Sequence, residues 1–126
     1  MYLTKNFTKE EATCRCGCGF VVVVMDLILP LQDARDIAGI PFPIESWCRC
    51  QKRNAVVGGK KDSSHLDGWA VDIKLTWAPG RTRDNTRWII IDALMQVGFN
   101  RFGIAETFIH TDRDPRKPAE RIWCYP

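Results

Sequence analysis

The chain is short of histidine: its 126 residues contain two, His65 and His110. A metal centre that uses imidazole can therefore draw on those two positions and no others. No Gly-x-Ser-x-Gly sequence occurs, so the strand-to-helix elbow that presents a serine nucleophile is excluded. Long apolar runs are missing too. The best candidate, Phe20 to Leu31, is interrupted by Asp26 and Pro30 and follows a polar start containing cysteines, which makes it neither a membrane span nor a secretory signal. There are no internal repeats or low-complexity tracts. The net charge of +3 is mild. Lys and Arg are interspersed with Asp and Glu and form no basic stripe, so nucleic-acid binding is not expected. Hydrophobic residues make up 45% and charged residues 26% of the chain, the balance of an ordered globular protein. At this length that means one domain, residues 1–126, with its own core and no separate binding module. The expected state is a monomer.

What is present centres on the two histidines. Residues 63–73 read Ser-Ser-His-Leu-Asp-Gly-Trp-Ala-Val-Asp-Ile, and residues 108–112 read Phe-Ile-His-Thr-Asp. His65 follows a polar, glycine-rich stretch and belongs to a loop, whereas Ala70 to Leu75 alternates like a strand. Neighbours on a strand point to opposite faces, so Val71, Ile73 and Leu75 enter the core while Asp72 faces a cleft. By the same period Phe108, His110 and Asp112 share a face, and Ile109 points inward. Together His65, Asp72 and His110 can hold one divalent metal. Three protein ligands leave a fourth position for water, which is the catalytic kind of zinc site, whereas a structural site is closed by four.

The run Ser-x-His-x-x-Gly-x-Ala-x-Asp, here Ser63, His65, Gly68, Ala70 and Asp72, with the later His110 and Asp112, resembles the zinc D-alanyl-D-alanine carboxypeptidases and the L-alanyl-D-glutamate peptidases of phage endolysins. More distant relatives with that zinc fold include the D-Ala-D-Ala dipeptidases and the hedgehog signalling domain. The likeness extends upstream through Ser46-Trp47-Cys48-Arg49, Asn54 and Val57-Gly58-Gly59 and covers about residues 7–126. It implies that His65, Asp72 and His110 hold a catalytic zinc, that Arg49 and Ser63 bind substrate, and that the substrate is a peptidoglycan stem peptide. Arg49 suits either a terminal carboxylate or the oxyanion of a tetrahedral intermediate. Several relatives carry Glu or Asp three residues before the last histidine, where this chain has Thr107. The base is then Glu106, which needs a bend to reach the metal from about 13 Å along a strand, or Asp112, about 6.6 Å along the same face. Asp112 suits a second task, orienting a ligand imidazole. The resemblance also implies a phage or prophage lysin, made in the cytoplasm and acting on the wall after release. A non-catalytic wall-binding or protein-binding module that retains the zinc is the alternative, because of Thr107.

Elsewhere the pattern is mixed. Thr8 to Glu11 is a capping box for a short helix, followed by a Cys-Gly hairpin and a strand over Val21 to Val24. Asp26 caps a helix carrying Leu27, Leu31 and Ala34, and a second helix runs from about Thr82 to Val97 with Trp88, Ile89, Leu94 and Met95 inward. Strands are expected around Ile44, Phe102, Ile109 and Ile122. Helices first and strands clustered at the metal segments argue for an α+β fold, a small antiparallel sheet flanked by helices. Trp69 and Trp77 are candidates to wall the cleft. Cys14, Cys16, Cys18, Cys48 and Cys50 lie at spacings of two, without the usual Cys-x-x-Cys knuckle. They admit a second, structural zinc, disulfides or free thiols, and Cys124 stands alone.

Overall fold

A computed structural model describes all residues, 1–126. Helix α1 (Lys9–Ala12) opens on the reciprocal capping box: the Thr8 hydroxyl accepts from Glu11 N, and the Glu11 carboxylate accepts from Thr8 N. Helix α2 (Met25–Ala38) ends at Gly39, whose φ of 66° provides the left-handed stop. Strand β1 (Ile44–Ser46), α3 (Gln51–Val56), a 3-10 turn (Ser64–Asp67) and β2 (Ala70–Lys74) follow. Then come α4 (Arg83–Gln96), β3 (Arg101–Ile104), β4 (Phe108–Asp112) and β5 (Arg121–Cys124). The five strands form one sheet in the order β1-β2-β4-β3-β5. Pairing is antiparallel except at one edge, where β5 runs parallel to β3. The fold is α+β, and no helix is long and apolar enough to cross a membrane.

The two faces of the sheet have different fates. Val71, Ile73, Phe102 and Ile109 join Leu27, Ile28 and Leu31 of α2 and Ile90, Ala93 and Leu94 of α4 in a single core of 18 buried residues. The helices cover this face, and burying such side chains is the main force holding the layers together. On the other face the register aligns Asp72, His110, Gly103 and Trp123 in one row across β2, β4, β3 and β5. No helix of the α2–α4 pair reaches this row. The segment carrying Arg49 and the 3-10 turn carrying His65 frame it instead.

Several local expectations need correcting. Val21 to Val24 joins no ladder, and Val22 spends its N–H and C=O on the Cys48 thiol. Asp26 is not the cap of α2: Val24 holds that position without a side-chain bond, and Asp26 sits in the first turn, where its charge complements the helix dipole. In α4 the buried stripe is Thr86, Ile90, Ala93 and Leu94, while Trp88 and Met95 face solvent. The helix is therefore rotated from the phase its largest residues suggest, since one stripe alone can face α2 and the sheet. The 3-10 turn at His65 arises where a loop was expected, and α3 arises where no element was read.

Candidate metal centre

His65, Asp72 and His110 reach one point from three segments. Asp72 and His110 are direct partners in the β2–β4 ladder. His65 is delivered by the 3-10 turn, which begins where Ser63 Oγ accepts from His65 N at 3.3 Å and ends at Gly68 with φ 74°. A side chain at Gly68 would also come within 2.7 Å of the Val22 carbonyl, so both conformation and space demand glycine there. The ligand atoms of the three residues all lie within 4.8 Å of one another. Asp72 Oδ1 is 3.2 Å from His65 Nε2 and 2.9 Å from His110 Nδ1. All three are buried.

The outer ring nitrogens show what this cluster is suited to hold. His65 Nδ1 faces the Trp47 carbonyl at 2.6 Å, and His110 Nε2 faces Asp112 Oδ2 at 2.9 Å. Both partners only accept hydrogen bonds, as does Asp72 on the inner side, so with a metal bound inside each ring would carry its proton on the outer nitrogen and donate it outward. The inner nitrogens of the neutral rings then present lone pairs to a carboxylate oxygen. Acceptors set this close need a cation between them, a proton or a metal, and two imidazoles with one carboxylate are a zinc donor set. With a proton and not a metal between them, burial pushes the Asp72 carboxyl up, but hydrogen bonds donated by His110 and His65 outweigh that and hold it below the usual carboxylate range. Burial likewise opposes charge on His110, yet Asp112 and Asp72 raise its pKa.

Asp112 is fully engaged. Oδ2 takes the His110 proton and Oδ1 accepts from Arg101 Nε at 2.8 Å, and the residue is 1% exposed. It orients the ligand ring and lies outside the lining of the cavity. Asp112→Asn should weaken zinc binding about 10- to 100-fold. Protons compete with the metal for His110, so affinity should fall as pH drops through the raised His110 pKa. The same substitution lowers the ring's basicity and should move that fall to lower pH. Chelator competition across a pH series reads both effects.

Beside the cluster is a cavity of about 580 Å³ lined by Arg49, Ser63, His65, Asp72, His110 and Tyr125 among others. Arg49 is held by three acceptors: Ser46 Oγ at 3.2 Å, Asn54 Oδ1 at 3.2 Å and Asp72 Oδ2 at 3.3 Å. Gly59 allows this, because a Cβ there would fall 2.0 Å from Asn54 Oδ1 and 3.0 Å from Arg49 Nη1. Glu106 is placed elsewhere. The chain reverses between β3 and β4, closed by Ala105 N–H donating to Phe108 O, so Glu106 sits at the hairpin tip, largely exposed and 3.5 Å from Arg83 of α4. It does not line the cavity. Asp72 is the sole carboxylate that does.

The aromatic walls are not those expected. Trp77 is half exposed and does not line the cavity, and Trp69 packs against the core. Trp123 and Tyr125 line it, with Trp123 5.5 Å from the His110 ring. Gly103 makes room, since a Cβ there would lie 2.6 Å from Trp123 Nε1 and 2.7 Å from Tyr125 Cε2. The Phe102-Gly103-Ile104 interruption in a strand is the one trace of this in the sequence. Among the cysteines, Cys14, Cys16, Cys18 and Cys50 converge, whereas Cys48 is buried against Val22 and lies outside the cluster. None of the six is joined in a disulfide.

A mostly antiparallel sheet presenting two imidazoles and a carboxylate beside a fixed guanidinium defines a metallopeptidase type of centre. The chain belongs to the Peptidase M15 family, whose sequence model matches residues 5–112, and this family is zinc-dependent. The matched span includes Arg49, His65, Asp72, His110 and Asp112 and stops before Trp123 and Tyr125. No curated protein matches the chain.

Proposed function

We propose that the protein is a zinc peptidase that hydrolyses an amide bond in peptidoglycan stem peptides. The convergence of His65, Asp72 and His110 on one point beside Arg49 carries this reading, and the family match supports it. Zinc held by those three residues would polarise the scissile carbonyl and lower the pKa of a water molecule to about 7.

The chain's own groups do the rest. Trp47 and Asp112 lock the imidazole tautomers, so the lone pairs needed for the metal are preset. Arg49 is held in place before substrate arrives and can stabilise a developing oxyanion or pair with a peptide carboxylate. Ser63 places a hydroxyl on the cavity wall for a substrate amide. Burial raises the Tyr125 pKa, so its phenol stays protonated at neutral pH and serves as a hydrogen-bond donor. Trp123 supplies an apolar wall.

Arg49→Ala is expected to retain zinc and lose about 10²- to 10³-fold in kcat/KM. Arg49→Lys should recover little, because a point charge cannot satisfy Ser46, Asn54 and Asp72 together. Steady-state kinetics with metal analysis on the same samples checks both.

One observation favours a second reading, a zinc-containing module that grips a wall peptide without cutting it. No carboxylate besides Asp72 lines the cavity, while Glu106 pairs with Arg83 and Asp112 is bonded to Arg101 and His110. Incubating the zinc-loaded protein with purified muropeptides and following new amines by mass spectrometry separates the two. Release of amine supports the peptidase; retained binding with no release at high protein concentration overturns it.

A further inference from the structure

We infer that Cys14, Cys16, Cys18 and Cys50 form a second metal site, a structural tetrathiolate suited to zinc. A tetrahedral site with metal–sulfur bonds of about 2.3 Å has sulfur–sulfur edges of about 3.8 Å. Cys14 Sγ lies 3.5 Å from Cys16 Sγ and 3.8 Å from Cys50 Sγ, and Cys16 lies 3.6 Å from Cys50. Cys18 completes the set, with all four sulfurs within 4.8 Å of one another. Disulfides join sulfurs in pairs and would not produce the near-equal spacing of Cys14, Cys16 and Cys50 with a fourth sulfur in reach, which is what four ligands around one ion require.

The surroundings suit thiolates. Backbone N–H groups donate to three of the sulfurs: Cys50 N to Cys14 at 3.4 Å, Arg53 N to Cys50 at 3.3 Å and Phe20 N to Cys18 at 3.4 Å. Such donors orient ligands and stabilise their charge. Gly17 and Gly19, at φ 85° and 83°, turn the chain back on itself, so a Cys-x-Cys-x-Cys run gathers three sulfurs that an extended strand would spread out. The segment between α1 and α2 has no helix or strand of its own. Four protein ligands close the site, which makes the ion structural. On binding, four S–H bonds release their protons to water and four sulfur–metal bonds form.

The ion would also steady the first centre. Cys50 is the N-cap of α3 and adjoins Arg49. The same short segment carries the Trp47 carbonyl that holds His65, and Arg49 N–H donates to His65 O at 3.0 Å. Metal at the cysteines therefore clamps the loop before α2 to the segment that positions both groups.

The full chain should contain two zinc ions by native mass spectrometry. Cobalt-substituted protein should show the near-ultraviolet sulfur-to-cobalt charge-transfer absorption. Cys14→Ser or Cys18→Ser should lose one ion and that absorption. His110→Ala should also lose one ion but keep the absorption, and Cys124→Ser should change neither. A wild-type cobalt protein without sulfur-to-cobalt absorption, or a mass showing these cysteines joined as disulfides, overturns the inference without needing any variant to fold. The cobalt–thiolate spectrum is independent of muropeptide cleavage, so failure of the peptidase reading would leave it unchanged.

Discussion

His110→Ala is expected to lose the zinc at the histidine centre and to reduce muropeptide hydrolysis to the uncatalysed background. His110 is one of the three proposed ligands, and two ligands hold a catalytic zinc poorly in competition with solvent. The substitution also leaves Asp72 facing His65 and Arg49 alone, and Asp112 facing Arg101 alone. Both carboxylates keep a partner, so the fold should survive, and far-ultraviolet circular dichroism should be unchanged. His65→Ala should have the same effect on metal and hydrolysis with a larger loss of stability. It strips the buried Trp47 carbonyl of its donor, which costs about 1–3 kcal/mol. Full zinc occupancy and full activity in either variant would eliminate this centre as the site of chemistry.

The largest effect on folding is expected at Trp47. Its side chain is 1% exposed and packs edge-on against Phe7 with ring centroids 6.0 Å apart. Truncation to alanine should cost about 3–5 kcal/mol through lost burial and the cavity left behind. Against a typical total of about 5–15 kcal/mol that is a large share, and the melting temperature should fall by roughly 10–20 °C. Trp47→Phe keeps most of the ring volume and removes an indole N–H that has no hydrogen-bond partner, so its cost should be only about 1 kcal/mol. Thermal melts of the two variants at saturating zinc test this. Equal losses would show that packing is not what Trp47 contributes. Trp47→Ala should also weaken zinc binding, because the backbone of the same residue fixes the His65 tautomer.

Much of the centre was legible from residue order because its parts obey local rules. A strand's twofold period forces Asp72 and His110 onto faces opposite to Ile73 and Ile109, so the alternation alone separates cleft from core. The capping box at Thr8 is equally local, depending on residues within one turn. Glu106 lies outside the cavity lining for a reason that spacing cannot reveal. Its position follows from where β3 turns into β4, and the tight reversal at Ala105 aims it at α4. Trp123 and Tyr125 escaped notice because they enter the cavity only through the parallel register of β5 on β3.

What the order of residues determined by itself was the membership of the first centre: which two imidazoles exist, and which aspartate shares a strand face with one of them. Which side chains surround that centre was decided by the folded chain. Long-range pairing sets Gly103 beside Trp123, turns Arg49 onto Asp72, and draws Cys50 to a loop more than thirty residues earlier in the chain while leaving Cys48 behind. Such pairings arise from burying one face of a whole sheet under two helices. That term is collective, and no short stretch of sequence contains it.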